Sequence, residues 1–394
     1  MSVVIVGAGL GGLRAAEALR SNGYTGAISV VGDETHLPYN RPPLSKESLL
    51  GGVDVAALEF RRKAIVDDVT WVLGSGVVSS DFAARTVTLA DGRVLEFDGL
   101  VIASGIRPRR LPIPGPQAGR HVIRTAQDSH QLREDLGAAR HMLMMGAGFI
   151  GCETAATARK LDTAVTIVAL DAEPMVRPLG LELGAAMRRR HEAHDVEFHL
   201  GTSITEFLGD DRVQAAKLSD GTEIETDLVV EAIGSVANVE WLEGNGLDLS
   251  DGVHTDHTMR ALGTDVPVVA VGDIARHPNG LFGGAPRRIE HWNMPTETGK
   301  RAGATLAALL AGTSVDPAPF TAMPSFWSDQ YDTKIQSFGM PGIATSIAVV
   351  DGSVDGACIV EYSDDSGLVG VVGIDRTSDL APYRTALMGR TVSA

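Results

Sequence analysis

Ser2-Val3-Val4-Ile5-Val6-Gly7-Ala8-Gly9-Leu10-Gly11-Gly12 opens the chain, and its pattern returns midway as Met142-Leu143-Met144-Met145-Gly146-Ala147-Gly148-Phe149-Ile150-Gly151. Each copy is an unbroken apolar run, a Gly-x-Gly-x-x-Gly turn, then a helical stretch. An unbroken apolar run suits a parallel strand buried on both faces. The first glycine permits the tight turn, the second lets a pyrophosphate approach the backbone, and the third lets the helix pack on its strand. The helix N-terminus then offers free N–H groups and partial positive charge to the phosphates. A single such motif carries little weight, since 45 glycines in 394 residues give about 0.6 matches by chance. Two copies in register, each between strand and helix, predict two dinucleotide sites.

The echo extends outward from the glycines. A second apolar strand at 27–31 ends in Gly32-Asp33-Glu34, and its counterpart runs 164–170. Hairpins with tight turns at Asp91-Gly92 and Asp220-Gly221 follow, each feeding another apolar strand, 100–103 and 228–233. A late strand, 266–271, ends in Gly272-Asp273 and precedes a helix predicted over 298–311. Beyond 313 the pattern changes to three predicted antiparallel strands, 347–350, 356–362 and 368–374, and a short final helix. The prediction is an α/β protein with two Rossmann-like dinucleotide-binding domains and a C-terminal α+β domain. Residues 1–110 with 240–312 would form the first domain, 111–239 the second and 313–394 the third.

Composition narrows the function. A formal net charge of −16 argues against nucleic acid, whose phosphates demand clustered cations. Two distant cysteines, Cys152 and Cys358, exclude a disulfide scaffold and any local redox pair. No run approaches the length of a membrane span and no basic leader precedes a hydrophobic stretch, so the expected location is the cytoplasm, without a membrane. The tail 383–394 shows no membrane-binding face.

The stretch Leu37-Pro38-Tyr39-Asn40-Arg41-Pro42-Pro43-Leu44-Ser45-Lys46, with Val271-Gly272-Asp273 and Phe326-Trp327-Ser328-Asp329-Gln330-Tyr331, resembles the NADH-dependent ferredoxin reductases of bacterial oxygenase systems. The likeness runs from Ser2 to about Gly373. It implies a glutathione-reductase-like fold, an FAD domain with an inserted NAD domain, and electron transfer from NADH through FAD to a [2Fe-2S] ferredoxin. It further implies FAD held by Gly7, Gly9, Gly11 and Gly12 at the pyrophosphate and Asp33 at the adenosine ribose. Arg41 and Lys46 would lie near the flavin, Val77 on the adenine side and Arg124 at the domain junction. Asp273 would meet the ribityl chain and Trp292 the ring. NAD would use Gly146, Gly148, Ile150, Gly151, Glu153 and Gly234, and Trp327 would stand near the nicotinamide or the electron exit. Lys46 and Glu153 are expected to pair beside the flavin, with Lys46 stabilising negative charge there.

Two departures from the family pattern stand out. The acid that usually closes the second strand of the NAD domain is replaced by Ala169, leaving Asp171 as substitute and Arg177 not far away. The usual Asn-Ala-x-x-Gln after Trp292 is Met294-Pro295-Thr296-Glu297-Thr298. Ferredoxins are typically acidic, so Arg287, Arg288, Lys300, Arg301 and Lys334 are the docking candidates, while 61–63 and 188–190 read as solvated basic faces. Alternatives within the fold are a rubredoxin reductase or an NADH-binding redox sensor. A disulfide reductase would need a cysteine near 36–50, where none occurs.

Overall fold

The computed structural model describes residues 1–390; the last four residues of the 383–394 tail lie outside them. Two five-stranded parallel sheets repeat one plan. In the first, strands follow the order Val268–Ala270, Gly99–Ile102, Ser2–Val6, Ala27–Gly32, Thr70–Leu73. The second runs Arg120–His121, Leu228–Glu231, His141–Met145, Ala164–Ala169, Val196–Leu200. Each carries a three-stranded antiparallel ribbon, Val77–Asp81 with Thr86–Leu89 and Val94–Glu96, and Ile204–Leu208 with Ala215–Leu218 and Glu223–Glu225. The apolar runs of the central strands are buried throughout, because one face of each sheet packs on helices and the other on its antiparallel ribbon.

The first sheet is completed from far along the chain. Strand Val268–Ala270 pairs with Gly99–Ile102, and helix Met294–Ala311 packs on helix Leu10–Ser21. Small residues set that contact: a Cβ on Gly303 would sit 2.5 Å from Ala18 Cβ. The helix begins four residues before the predicted start, with Pro295 in the first turn, where its missing N–H costs nothing.

The C-terminal unit is a five-stranded antiparallel sheet in the order Ser325–Gln330, Thr333–Gly339, Gly367–Ile374, Cys358–Asp364, Ser346–Gly352, with helix Ala381–Met388 packed on it. Its first two strands escaped the sequence reading. They turn through Tyr331 at φ 57° without a glycine, and the inward residues of strand Ser325–Gln330 include Ser328 and Gln330.

Candidate active site

A cleft of about 1230 Å³ lies at the carboxyl ends of the first sheet's strands and runs to the second sheet's first helix and the C-terminal strand Ser325–Gln330. Ligands of doubly wound sheets bind at this end. Gly7, Gly9 and Gly11 line it, with Asp33, Val77 and Asp273. Arg41, Lys46, Arg124, Trp292 and Trp327 complete its walls, and Ile150 and Glu153 reach it from the helix Phe149–Lys160. Gly12, Gly146, Gly148, Gly151, Asp171 and Gly234 lie outside the lining.

The glycines divide by what surrounds them. A Cβ on Gly7 would sit 2.0 Å from Ala103 O, and on Gly146 2.3 Å from Ala232 O. On Gly12 and Gly151 it would meet the Gly7 and Gly146 carbonyls at 2.1 and 2.2 Å. These four are glycine because of the protein's own packing, so Gly12 and Gly151 serve the helix approach. Gly9 and Gly148 meet nothing within 4 Å. Their bareness has no internal cause and leaves each turn open to a pyrophosphate, so both cradles fit a dinucleotide.

Around the first cradle the charges are tied down in pairs. Arg41 Nη2 reaches Glu34 Oε1 at 2.5 Å, and its Nη1 donates to Arg124 O at 2.5 Å. The buried Tyr39 hydroxyl donates to Glu34 Oε2 at 2.5 Å and accepts from Ala126 N–H at 2.9 Å. Arg124 Nη2 lies 3.3 Å from Asp273 Oδ2; burial pushes the Asp273 carboxyl up, and the guanidinium opposes this. Gly272 N–H donates to Thr298 Oγ1 at 2.9 Å, so the divergent helix start supplies its own anchor beside Asp273.

At the other end Lys46 Nζ lies 3.1 Å from Glu153 Oε1 and 3.5 Å from Asp329 Oδ2. Burial drives the Glu153 carboxyl upward, and Lys46 with the Ser328 and Ser45 hydroxyls pulls it back. Trp292 donates from Nε1 to Asn40 Oδ1 at 2.9 Å. Ser45, Ser328 and Asn40 lie outside the expected site residues, since a small polar residue has no spacing signature of its own, although all three sit within the 37–46 and 326–331 stretches that carry the resemblance.

In the second repeat the backbone register identifies the equivalent positions. Gly7 N–H donates to Val31 O and Gly146 N–H to Val168 O, both at 2.8 Å. Ala169 therefore matches Gly32, and the counterpart of Asp33 is Leu170, 75% exposed, one residue beyond the Ala169 at which the sequence placed the missing acid. Asp171 sits one residue further and is paired with Arg177 at 3.6 Å.

Both cysteines are fully buried, and desolvation pushes the Cys152 thiol far above its ordinary range, so neither is a nucleophile facing the cleft. Among the described residues no cluster of three or more His, Cys, Asp or Glu could hold a metal, and no helix is long and apolar enough to cross a membrane. Of the basic docking candidates, Arg288 is tied to Asp251 and Glu290, and Arg301 to Asp316, with side chains 14% and 16% exposed. Lys300 is exposed beside Glu297, Lys334 is exposed, and Arg287 is half-buried. The 188–190 run is not a free solvated face: Arg189 bonds Asp355 and Arg190 reaches Gly356 O in the C-terminal unit.

The pyridine nucleotide-disulphide oxidoreductase family model matches residues 1–299, and the reductase C-terminal model matches 325–393. Rhodocoxin reductase of Rhodococcus erythropolis is 36% identical over 98% of this chain and 89% of that protein. The ferredoxin–NAD(+) reductase component of the p-cumate 2,3-dioxygenase system of Pseudomonas putida is 35% identical over 97% and 92%. Among solved structures, the ferredoxin reductase for the CYP199A2 system from Rhodopseudomonas palustris superposes with a TM-score of 0.91 at 32% identity, covering 100% of this chain and 96% of that one. Putidaredoxin reductase in its covalent complex with putidaredoxin gives 0.89 at 30% identity, covering 99% and 93%.

Proposed function

The chain belongs to the pyridine nucleotide-disulphide oxidoreductase family, and from that we propose that it is an FAD-dependent ferredoxin–NAD(+) reductase serving a monooxygenase or dioxygenase. The observation that carries this reading is the pairing of two open glycine turns, Gly9 and Gly148, with a cleft that no thiol reaches. A disulfide reductase would need that thiol. Residues 1–110 with 240–312 would hold FAD, 111–239 NADH, and 313–394 would close the cleft, in a protein working in the cytoplasm.

When bound, FAD supplies the chemistry of accepting a hydride from NADH and passing electrons on singly. The protein's contribution is placement and charge. Gly7, Gly9 and Gly11 with the helix start at Leu10 would cradle the FAD pyrophosphate, Asp33 the ribose and Asp273 the ribityl hydroxyls. Gly148, Ile150 and the helix start at Phe149 would do the same for NADH. The Lys46 ammonium, 13% exposed and held by Glu153, is a fixed and largely buried positive charge that would stabilise developing negative charge. Trp292 and Trp327 would cover the cleft mouth, and Arg287, Lys300 and Lys334 would steer an acidic [2Fe-2S] ferredoxin toward it.

Anaerobic titration of the holoenzyme with NADH, following flavin absorbance, tests the first half, with bleaching at one equivalent expected. Addition of an oxidised [2Fe-2S] ferredoxin should then restore the absorbance and reduce the ferredoxin. Bleaching without ferredoxin reduction would favour a sensor, and reduction of rubredoxin alone a rubredoxin reductase.

A further inference from the structure

Glu153 is the end point of a buried hydrogen-bond chain that the chemistry above does not use. Its Oε1 accepts from the Ser328 hydroxyl at 2.6 Å, beside Lys46, and its Oε2 accepts from the Ser45 hydroxyl at 2.9 Å. Ser328 Oγ lies 3.0 Å from Gln330 Nε2, Gln330 Oε1 2.8 Å from His191 Nε2, and His191 Nδ1 3.2 Å from the Tyr331 hydroxyl. Glu153 and His191 stand on helices of the second parallel-sheet unit. Ser45 and Lys46 come from the segment after the first sheet's second strand, and Ser328, Gln330 and Tyr331 from the C-terminal sheet or its turn. Ser328, Gln330 and His191 have no solvent exposure.

Chemistry imposes one direction on this chain. A serine hydroxyl has one proton, and a carboxylate can only accept, so Ser328 donates to Glu153 and accepts from the Gln330 amide. That turns Gln330 Oε1 toward His191, which must then carry its proton on Nε2. Burial holds the His191 imidazole neutral, its pKa down to about 4, so Nδ1 is bare and accepts from Tyr331. Every bond therefore points toward the charge on Glu153. Protonation of Glu153 would turn one of its two oxygens into a donor and weaken the hydroxyl bond that oxygen accepts, from Ser328 at Oε1 or from Ser45 at Oε2.

We propose that Ser328 and Gln330, oriented by His191, are positioning residues that keep Glu153 a carboxylate aimed at Lys46, so that the C-terminal sheet governs the charge at the meeting point of the three units. The importance of that charge rests on the reading of the cleft as the flavin site. The charged and titratable groups facing Glu153 are few: Lys46, Asp329 on the outer face of the same strand as Ser328, and the Cys152 thiol, held neutral by burial. Asp329 competes for Lys46 at 3.5 Å, so the ammonium alone does not secure the carboxylate and the hydroxyl donors contribute. Charge-assisted bonds of this type are the strong ones in a buried setting.

The test is an isotope-edited infrared titration of the FAD-loaded protein without nucleotide, with the Glu153 carboxyl band assigned by its loss in Glu153→Gln. Ser328→Ala should raise the midpoint by about one pH unit, a tenfold change in proton affinity, and Gln330→Met should raise it by a smaller step. Ser328→Thr, which keeps the hydroxyl, should return it to the native value. Midpoints unmoved in both Ser328→Ala and Gln330→Met overturn the proposal. If Ser328→Ala does not accumulate, an unmoved midpoint in Gln330→Met does so alone. The titration needs no electron transfer, so failure of NADH to bleach the flavin would sink the reading of the cleft and leave this result standing.

Discussion

Trp292 and Trp327, on opposite sides of the cleft mouth, meet edge to face with ring centroids 5.5 Å apart and planes at 76°. Both are more than a third exposed. Their contact joins the C-terminal strand to the segment that follows Glu290. An edge-to-face pair contributes about 1 kcal/mol beyond area burial. A double-mutant cycle of Trp292→Ala and Trp327→Ala in urea unfolding should return a coupling of that size; additive effects would mean the two rings merely sit side by side.

Lys46→Met keeps the length of the side chain and removes the charge. It should slow flavin reduction by NADH in stopped-flow measurements by about two to three orders of magnitude, the scale of losing one preorganised electrostatic stabiliser. It also leaves Glu153 with less opposition to burial, so the carboxyl should protonate more readily. A reduction rate equal to the native one removes Lys46 from the chemistry.

Glycine substitutions should separate packing from ligand binding. Gly9→Ala has open space and is expected to fold with near-native melting while FAD affinity falls about tenfold or more. Gly12→Ala would drive a methyl group to within 2.1 Å of the Gly7 carbonyl, so it should cost several kcal/mol of stability with or without cofactor. Comparing the apo-protein melts with the flavin-binding isotherms distinguishes the two.

Leu170 occupies the register that Asp33 holds in the first repeat, and Asp171 is engaged with Arg177. A carboxylate at that position accepts from the ribose 2′-hydroxyl and repels a 2′-phosphate. Leu170→Asp should therefore raise the ratio of kcat/KM for NADH over NADPH by about tenfold, the size of one good hydrogen bond plus repulsion. An unchanged ratio would show that nucleotide choice is made elsewhere.

Acid should destabilise the fold through two buried histidines. Burial lowers the pKa of His191 and of His291 to about 4, against 6.5 for an unhindered imidazole. Between those values the unfolded chain binds protons that the folded one does not, so the stability they contribute is complete above about pH 6.5 and is lost as the pH falls toward 4. Each contributes on the order of 3 kcal/mol at most. The melting temperature should decline across that window before most carboxylates titrate, and His191→Asn should flatten part of the slope.

The duplicated half of the molecule is legible residue by residue because its signals are local. Strands buried on both faces are apolar throughout, Asp-Gly turns name their hairpins, and the spacing of Gly7, Gly9 and Gly12 is repeated in Gly146, Gly148 and Gly151. Strand Ser325–Gln330 is the opposite case. It buries Phe326, Ser328 and Gln330 and turns Trp327 and Asp329 outward, so alternation read from hydrophobicity points the wrong way. The basic candidates divide similarly, for nothing in the sequence tells that Arg288 and Arg301 spend their charge on Asp251, Glu290 and Asp316 while Lys300 and Lys334 stay exposed.

By itself the sequence determined that this protein folds as two nucleotide-type α/β units with a third attached, because periodicity and glycine spacing act over a few residues. Tertiary structure alone decided what surrounds Glu153 and which cations remain exposed. Those depend on polar side chains drawn from three distant segments, whose pairing is chosen by the cost of leaving a buried charge or donor unsatisfied, and that cost exists only once the chain has closed around them.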